Sequence, residues 1–180
     1  MSSRRVVLVL GGVRSGKSRY AQELATRGKR VAFIATAEAG DDEMRRRIAR
    51  HREQRPASWT TFEVPLALKD ALLACGDDFD TILVDCLTVW MANLMEHEPS
   101  DHAVLSHVDG LAIALGTVGA SVILVSNEVG SGVVPDSEIG RSYRDLLGIV
   151  NQRVAAVADQ AVLLVAGCPL VIKQPVEALI

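Results

Sequence analysis

At 180 residues and a formal net charge of −3, the chain is long enough to bury a core without metal or disulfide support, and it carries no global positive field for nucleic acid or acidic membranes. Apolar residues make up 49% and aromatic residues 4%, a balance that suits a parallel sheet covered by helices better than an aromatic-rich β sandwich. A single domain over residues 1–180 is expected.

Residues 6–10 are a continuous apolar run ending in Gly11 and Gly12, which predicts a buried strand. Residues 18–27 predict a helix closed by Gly28, and residues 30–36 a second buried strand. Residues 41–54 read as a helix with Asp41, Asp42 and Glu43 in its first turn and arginines later, an order that matches the helix dipole; Pro56 stops it. A short strand over 59–64, a helix over 66–75 and a third apolar strand over 81–85 follow. Helices are predicted over 87–97 and 101–115, then a strand over 122–126 and a glycine-containing loop to Pro135. A long helix over 138–158 and strands over 162–166 and 170–173 complete the pattern, with 175–180 a loosely ordered tail. Strand and helix alternating in this way predict an α/β fold, a mostly parallel sheet with right-handed crossovers.

No apolar run reaches the roughly 18–20 residues of a membrane helix. The start lacks the pattern of a secretory signal. The three cysteines, Cys75, Cys86 and Cys168, show no metal-ligand or paired spacing and read as reduced core thiols of a cytoplasmic protein.

Residues 11–18, Gly-Gly-Val-Arg-Ser-Gly-Lys-Ser, match GxxxxGK[ST] in full, after a strand and before a helix. Gly11 and Gly16 let the backbone curl so that the N–H groups of Gly12, Val13, Arg14 and Ser15 face phosphate oxygens. Lys17 is placed to reach the β- and γ-phosphates and the Ser18 hydroxyl to bind Mg²⁺. Asp85, ending a strand, stands where such a protein keeps the carboxylate for that ion; it is equally suited to cap the helix that follows.

Arg45, Arg46, Arg47, Arg50, Arg52 and Arg55 crowd one stretch, and Arg47, Arg50 and His51 share a helix face. Such a face neutralises phosphate charge. A neutral imidazole there is a nucleophile able to form a phosphoramidate, and arginine neighbours depress its pKa and keep it neutral. A solvated arginine face is the plainer reading of the same residues.

The stretches 11–18, 34–37 (Ile-Ala-Thr-Ala), 41–48 (Asp-Asp-Glu-Met-Arg-Arg-Arg-Ile), 51–59, 126–135 (Ser-Asn-Glu-Val-Gly-Ser-Gly-Val-Val-Pro) and 150–155 together resemble the bifunctional adenosylcobinamide kinase/adenosylcobinamide-phosphate guanylyltransferase family of cobalamin biosynthesis. The resemblance runs from residue 6 to about residue 173. It implies a RecA-like P-loop fold and a homotrimer. It implies phosphorylation of the adenosylcobinamide aminopropanol hydroxyl by ATP or GTP, with Mg²⁺. GMP would then pass from GTP to adenosylcobinamide phosphate through a guanylylated histidine, which falls on His51. The implied nucleotide contacts are residues 11–18 with Lys17 catalytic, then Ala35, Thr36 and Ala37, then Arg52, Glu53, Gln54 and Arg55, with Glu63 and Asp85; Ser18 and Asp85 are the implied metal ligands. Position 85 is Asp where relatives often carry Glu, and position 37 is Ala where they often carry Ser. The resemblance leaves the roles of Asn127 and Glu128 open. Tyr20, Trp59, Trp90 and Tyr143 are candidates either for the corrinoid site or for core packing.

Two other readings differ in class. A P-loop kinase of another small molecule would have no use for His51. A regulatory P-loop GTPase would carry an NKxD guanine motif, which the sequence lacks, and its one DxxG string, residues 145–148, falls in a predicted helix. Nucleic-acid binding would require a basic surface beyond one helix.

Overall fold

In the computed structural model the described residues are 4–38, 40, 42–53 and 55–174. The strands are β1 (Val6–Gly11), β2 (Val31–Ala35), β3 (Thr60–Glu63), β4 (Thr81–Asp85), β5 (Ser121–Asn127), β6 (Gln160–Val165) and β7 (Cys168–Lys173). The helices are α1 (Lys17–Ala25), α2 (Asp42–Glu53), α3 (Leu68–Cys75), α4 (Leu87–His97), α5 (Asp101–Thr117) and α6 (Glu138–Val157). Asp41, Gln54 and the tail 175–180 lie outside the described residues, as do the side chains of Arg47, Arg50 and His51 on α2.

The strands form one sheet in the order β3-β2-β4-β5-β1-β6-β7. β1 to β6 run parallel, and β7 returns antiparallel to β6. β1 and β2 are buried along their whole length, as strands covered on both faces must be. Val6, Leu8, Val122 and Leu124 alternate onto the face packed by α3, α4, α5 and α6. Val7, Val9, Ile123 and Val125 alternate onto the other face, where α1 lies with Ala21 and Ala25 against them. Small residues at those positions let the helix approach the sheet closely.

The register aligns the carboxyl ends of the parallel strands. Gly11 pairs with Asn127, Asp85 with Val125, and Ala35 with both Asp85 and Glu63. Loops that follow strands with these ends share one edge of the sheet, which is where open α/β sheets bind ligands.

Two expectations are corrected. α1 ends at Ala25 with Thr26 as its cap, two residues before Gly28, which lies in the following turn with its N–H on the Ala25 carbonyl at 3.0 Å. The glycine serves close approach instead, since a Cβ there would meet Thr81 Oγ1 at 2.4 Å and Asp80 Oδ1 at 2.7 Å. The cysteines are free but not all in the core: Cys75 is buried, Cys86 half-buried and Cys168 exposed on the edge strand.

Candidate active site

Between β1 and α1 the chain turns within residues 12–16. Arg14 and Gly16 are both left-handed, with φ of 57° and 94°. Only glycine adopts that conformation at no steric cost. Gly11 meets a spatial demand, because a Cβ there would lie 2.4 Å from Ser15 Oγ and 2.9 Å from the Leu164 carbonyl. The β6–β7 turn buttresses the loop: Gly167 donates its N–H to the Ser15 carbonyl at 2.9 Å. α1 starts without an acidic residue in its first turn and without a side-chain cap, so its positive end is left to a ligand. Lys17 Nζ donates to the Gly12 carbonyl at 3.0 Å, which folds the ammonium back over the loop. Val13 is 80% exposed at the crest.

Ser18 and Asp85 are both half-buried at this edge, the first near the start of α1 and the second at the end of β4. A hydroxyl and a carboxylate are an all-oxygen donor pair, the kind that hard cations such as Mg²⁺ take, with phosphates and water completing the shell. The pair fits Mg²⁺. The residue in the N-cap position of α4 is Cys86, so Asp85 is not that helix's cap.

A second centre lies at the β2–β3 end of the same edge. Arg52, Arg55, Pro56, Trp59, Thr61 and Glu63 line an open cleft of about 400 Å³. Trp59 stacks on the buried Phe33 at 6.4 Å between ring centroids, and the Arg55 guanidinium lies 3.6 Å over the Phe33 ring. Arg55 Nε is enclosed without a hydrogen-bond partner among the described residues. Burial pulls the Arg55 pKa below its ordinary value, the Asp85 carboxylate opposes that, and Arg52 adds to it. Arg52 pairs with Glu63 across the mouth of the cleft. Both partners are exposed, so the pair adds little to stability. The cleft therefore offers two guanidiniums, an aromatic wall and a carboxylate to a planar, phosphorylated ligand.

The remaining expected contacts divide. Ala35 is buried at the end of β2, Ala37 is half-buried and Glu53 is exposed. His51 stands on α2 one residue before Arg52, and its side chain, like Gln54, lies outside the described residues. Thr36 is fully buried. Its hydroxyl donates to the Cys86 carbonyl at 2.8 Å and accepts from the Cys86 N–H at 2.9 Å, while its carbonyl accepts from Asn93 Nδ2 at 2.8 Å. Its side chain therefore braces the turn after Asp85. Of the aromatic candidates, Trp90 is core, with its ring N–H on the Leu66 carbonyl at 2.8 Å; Trp59 belongs to the cleft.

Sequence reasoning did not find the polar scaffold beneath the edge. Thr88 Oγ1 accepts from the Asn127 N–H at 2.7 Å, Tyr143 donates to the Thr88 carbonyl at 3.2 Å, and Asn151 Nδ2 donates to the Asn127 carbonyl at 2.9 Å. Burial, then proximity to Cys86, pushes the Tyr143 phenol up to about 12. Glu128 staples its own loop, accepting from the N–H groups of Gly130 at 2.7 Å and Ser131 at 3.3 Å. The one available signal was Asn127, a polar residue at the end of an apolar strand run; Thr88, Tyr143 and Asn151 lie within helices and carry no such mark.

The sheet order and the loop geometry define a P-loop nucleotide-binding protein of RecA-like α/β architecture. Two solved structures share that fold. An ATPase from the type III secretion system of pathogenic bacteria aligns with a TM-score of 0.60 at 12% identity, over 88% of this chain and 50% of that one, so this chain spans about half its length. A KaiC-like protein from Pyrococcus horikoshii aligns with a TM-score of 0.50 at 13% identity, over 88% of this chain and 70% of that one.

Residues 7–172 match the family described as cobinamide kinase / cobinamide phosphate guanyltransferase, and the chain belongs to that family. The bifunctional adenosylcobalamin biosynthesis protein CobP of Pseudomonas aeruginosa is 46% identical over 167 residues, covering 92% of this chain and 96% of the relative. The bifunctional adenosylcobalamin biosynthesis proteins CobU of Salmonella typhimurium and Escherichia coli are 39% and 37% identical, each covering 93% of this chain and 99% of the relative. Among the described residues no helix is long and apolar enough to cross a membrane.

Proposed function

We propose that this chain performs both reactions of its family: phosphorylation of the adenosylcobinamide aminopropanol hydroxyl by ATP or GTP, then transfer of GMP from GTP to that phosphate, giving adenosylcobinamide-GDP. The observation that supports this best is the shared edge. One row of strand ends carries a phosphate loop at Gly11 and, beyond Asp85 and Ala35, an arginine-walled cleft at Glu63.

In the first reaction residues 11–18 cradle the triphosphate with backbone N–H groups and the start of α1, and Lys17 draws charge from the β- and γ-phosphates. Ser18 and Asp85 would hold Mg²⁺, which supplies charge neutralisation at the phosphates when bound. The substrate hydroxyl oxygen forms the bond to the γ-phosphorus and gives up its proton to solvent, the bond to the β-phosphate oxygen breaks, and a nucleoside diphosphate leaves. In the second, a His51 ring nitrogen forms a bond to the α-phosphorus of GTP and pyrophosphate leaves. An oxygen of the corrinoid phosphate then attacks the same phosphorus, the P–N bond breaks, and His51 is regenerated. Arg52 and Arg55 offset negative charge at the phosphates, and Trp59 and Glu63 furnish a face and an acceptor for the base. The reading includes one domain over residues 1–180, a homotrimer and a cytoplasmic location.

GTP radiolabelled at the α-phosphorus tests it. Labelled protein is expected, with an adduct stable to alkali and labile to acid, absent in His51→Ala, while His51→Ala still phosphorylates cobinamide. Label that persists in His51→Ala excludes the histidine; an unaltered chain that phosphorylates its substrate but takes up no label and transfers no GMP favours a simple kinase.

A further inference from the structure

We infer that Val133, Val134 and Ile139 form a docking surface beside the phosphate loop for the apolar face of the acceptor substrate, the corrin macrocycle. The inference rests on the reading that the acceptor is adenosylcobinamide, and it names the part of that site which the nucleotide does not use.

β5 ends at Asn127 beside Gly11, and the chain leaves the strand there, Glu128 donating its N–H to the Gly11 carbonyl at 3.2 Å. The segment 128–137 therefore starts at the phosphate loop and ends at α6. α6 runs down to the opposite edge of the sheet, where Asp159 donates its N–H to the Val6 carbonyl at 2.8 Å. Asn151 is at the level of the strand ends, since its Nδ2 reaches the Asn127 carbonyl at 2.9 Å. The part of α6 before Asn151, and the segment leading into it, thus stand beyond the strand ends as a wall beside the phosphate loop. The Arg52–Glu63 cleft lies away from it, at the β2–β3 end of the row.

The wall is braced along its length. Glu128 accepts from the N–H groups of Gly130 and Ser131, Arg144 donates to the Gly130 carbonyl at 2.5 Å, and Arg141 donates to the carbonyls of Pro135 at 3.1 Å and Asp136 at 2.7 Å. Val129 packs on the core below, and Gly140 lets the first turn of α6 close on Pro135, whose Cβ would lie 2.8 Å from a Cβ at that position. A segment held in this way cannot turn its apolar side chains inward. Val133, Val134 and Ile139 are 94%, 58% and 71% exposed, and Val13 adds a fourth exposed aliphatic group from the crest of the phosphate loop. Single exposed apolar residues are ordinary, but several gathered on one fixed segment mark an interaction surface. The place of the wall selects the occupant. The phosphate loop and the arginine cleft are lined for phosphates and a base, and neither offers apolar area to a broad, methyl-bearing macrocycle. The acceptor hydroxyl must reach the γ-phosphorus, so its ring must rest on what surrounds the phosphate loop, and the wall is the apolar part of those surroundings. A second copy of the chain seated on it would stand where the acceptor has to enter.

The test uses the full chain with Val133→Ser, Val134→Ser and the double variant, all at exposed positions where folding is not at stake. The KM for cobinamide in the kinase reaction is expected to rise about tenfold in each single variant, the scale of one buried aliphatic side chain, and further in the double variant, while the KM for ATP and GTP stays as it is. Ile113→Ser, a like change at an exposed position on α5, should leave the cobinamide KM unaltered. Equilibrium dialysis of cobinamide against the chain, with a non-hydrolysable ATP analogue and Mg²⁺, reads the same contact without turnover and should show the same losses. An unchanged cobinamide KM and affinity in the double variant overturn the inference and leave the proposed activity standing. A smaller assembly of the double variant by light scattering gives the surface to a second copy of the chain and also overturns it. An unaltered chain that binds cobinamide more tightly than the double variant does, but never phosphorylates it, overturns the proposed activity while supporting the docking surface.

Discussion

Asp85 and Cys86 are neighbours with opposite demands. Asp85 ends β4 at the open edge and suits a cation, whereas the half-buried Cys86 packs its side chain on the core, and its thiol is pushed up to about 11, by burial first and then by the Asp85 charge. Burial, aided by Asp78, also raises the Cys75 thiol. Only thiolates react with alkylating agents, so exposure and pKa act in the same direction here. Iodoacetamide at pH 8 followed by peptide mass spectrometry is expected to label Cys168 alone, with Cys75 and Cys86 labelled only after denaturation; early Cys86 modification would contradict its packing on the core. The pH dependence of stability follows with a definite sign. An unfolded chain releases the Cys86 proton near 9.0 while the folded chain keeps it to about 11. The folded state binds more protons in that window, so its stability is intact below pH 9 and declines as pH rises toward 11, by at most about 1.4 kcal/mol per pH unit for one thiol. Tyr143, held from 10.0 up to about 12, extends the decline in the same direction. Urea denaturation at pH 8, 9, 10 and 11 measures it, and a flat or rising midpoint across that range would contradict the assignment.

At the scale of elements, the site is made by what ties adjacent turns together. Thr36, just past β2, holds both backbone groups of Cys86 at the head of α4, and Thr88, in the first turn of α4, holds the end of β5. Substituting valine for Thr36 keeps the shape and leaves the Cys86 N–H and carbonyl without that partner. Thr36→Val should cost about 1–3 kcal/mol of stability, the range for a buried group left unpaired, and Thr36→Ser should recover most of it. Thermal melts of the three proteins decide the matter, and a stable Thr36→Val removes the bracing role. This bracing also marks the limit of what the amino-acid order reveals. Strands were legible because their apolar runs are unbroken, as at residues 6–10 and 81–85, and the phosphate loop because its glycines answer a local backbone demand. Thr36, Thr88, Asn93 and Asn151 were not, because their partners lie 24 to 57 residues away and depend on a strand order that no local pattern encodes. The arginine stretch was legible as charge, but that Arg52 would meet Glu63 and Arg55 would lie on Phe33 follows only from β3 lying beside β2.

Across the whole molecule, strand order sets how the two centres are spaced. From β1 to β3 the sheet crosses β5, β4 and β2, four spacings, or about 19 Å at roughly 4.8 Å each. A nucleotide phosphate held at Gly11 and a group in the Arg52–Glu63 cleft are thus at opposite ends of one row, with Asp85 near its middle. This geometry separates the consequences of substitution. In the kinase reaction the bond broken is at the γ-phosphate, within the loop. In the proposed guanylyl transfer the loop would hold the departing pyrophosphate, with the phosphorus under attack toward α2 and the cleft. Lys17→Ala should therefore depress both reactions by about 100-fold or more, because charge develops on phosphates held in the loop in each. Arg52→Ala should depress guanylyl transfer to a comparable degree and change cobinamide phosphorylation by less than about threefold, without loss of stability, since its partner Glu63 is exposed. Separate assays of the two products on the same preparations test this division. Parallel loss of both activities in Arg52→Ala would mean that the cleft holds the nucleotide in either reaction, and the row would then act as one site rather than two.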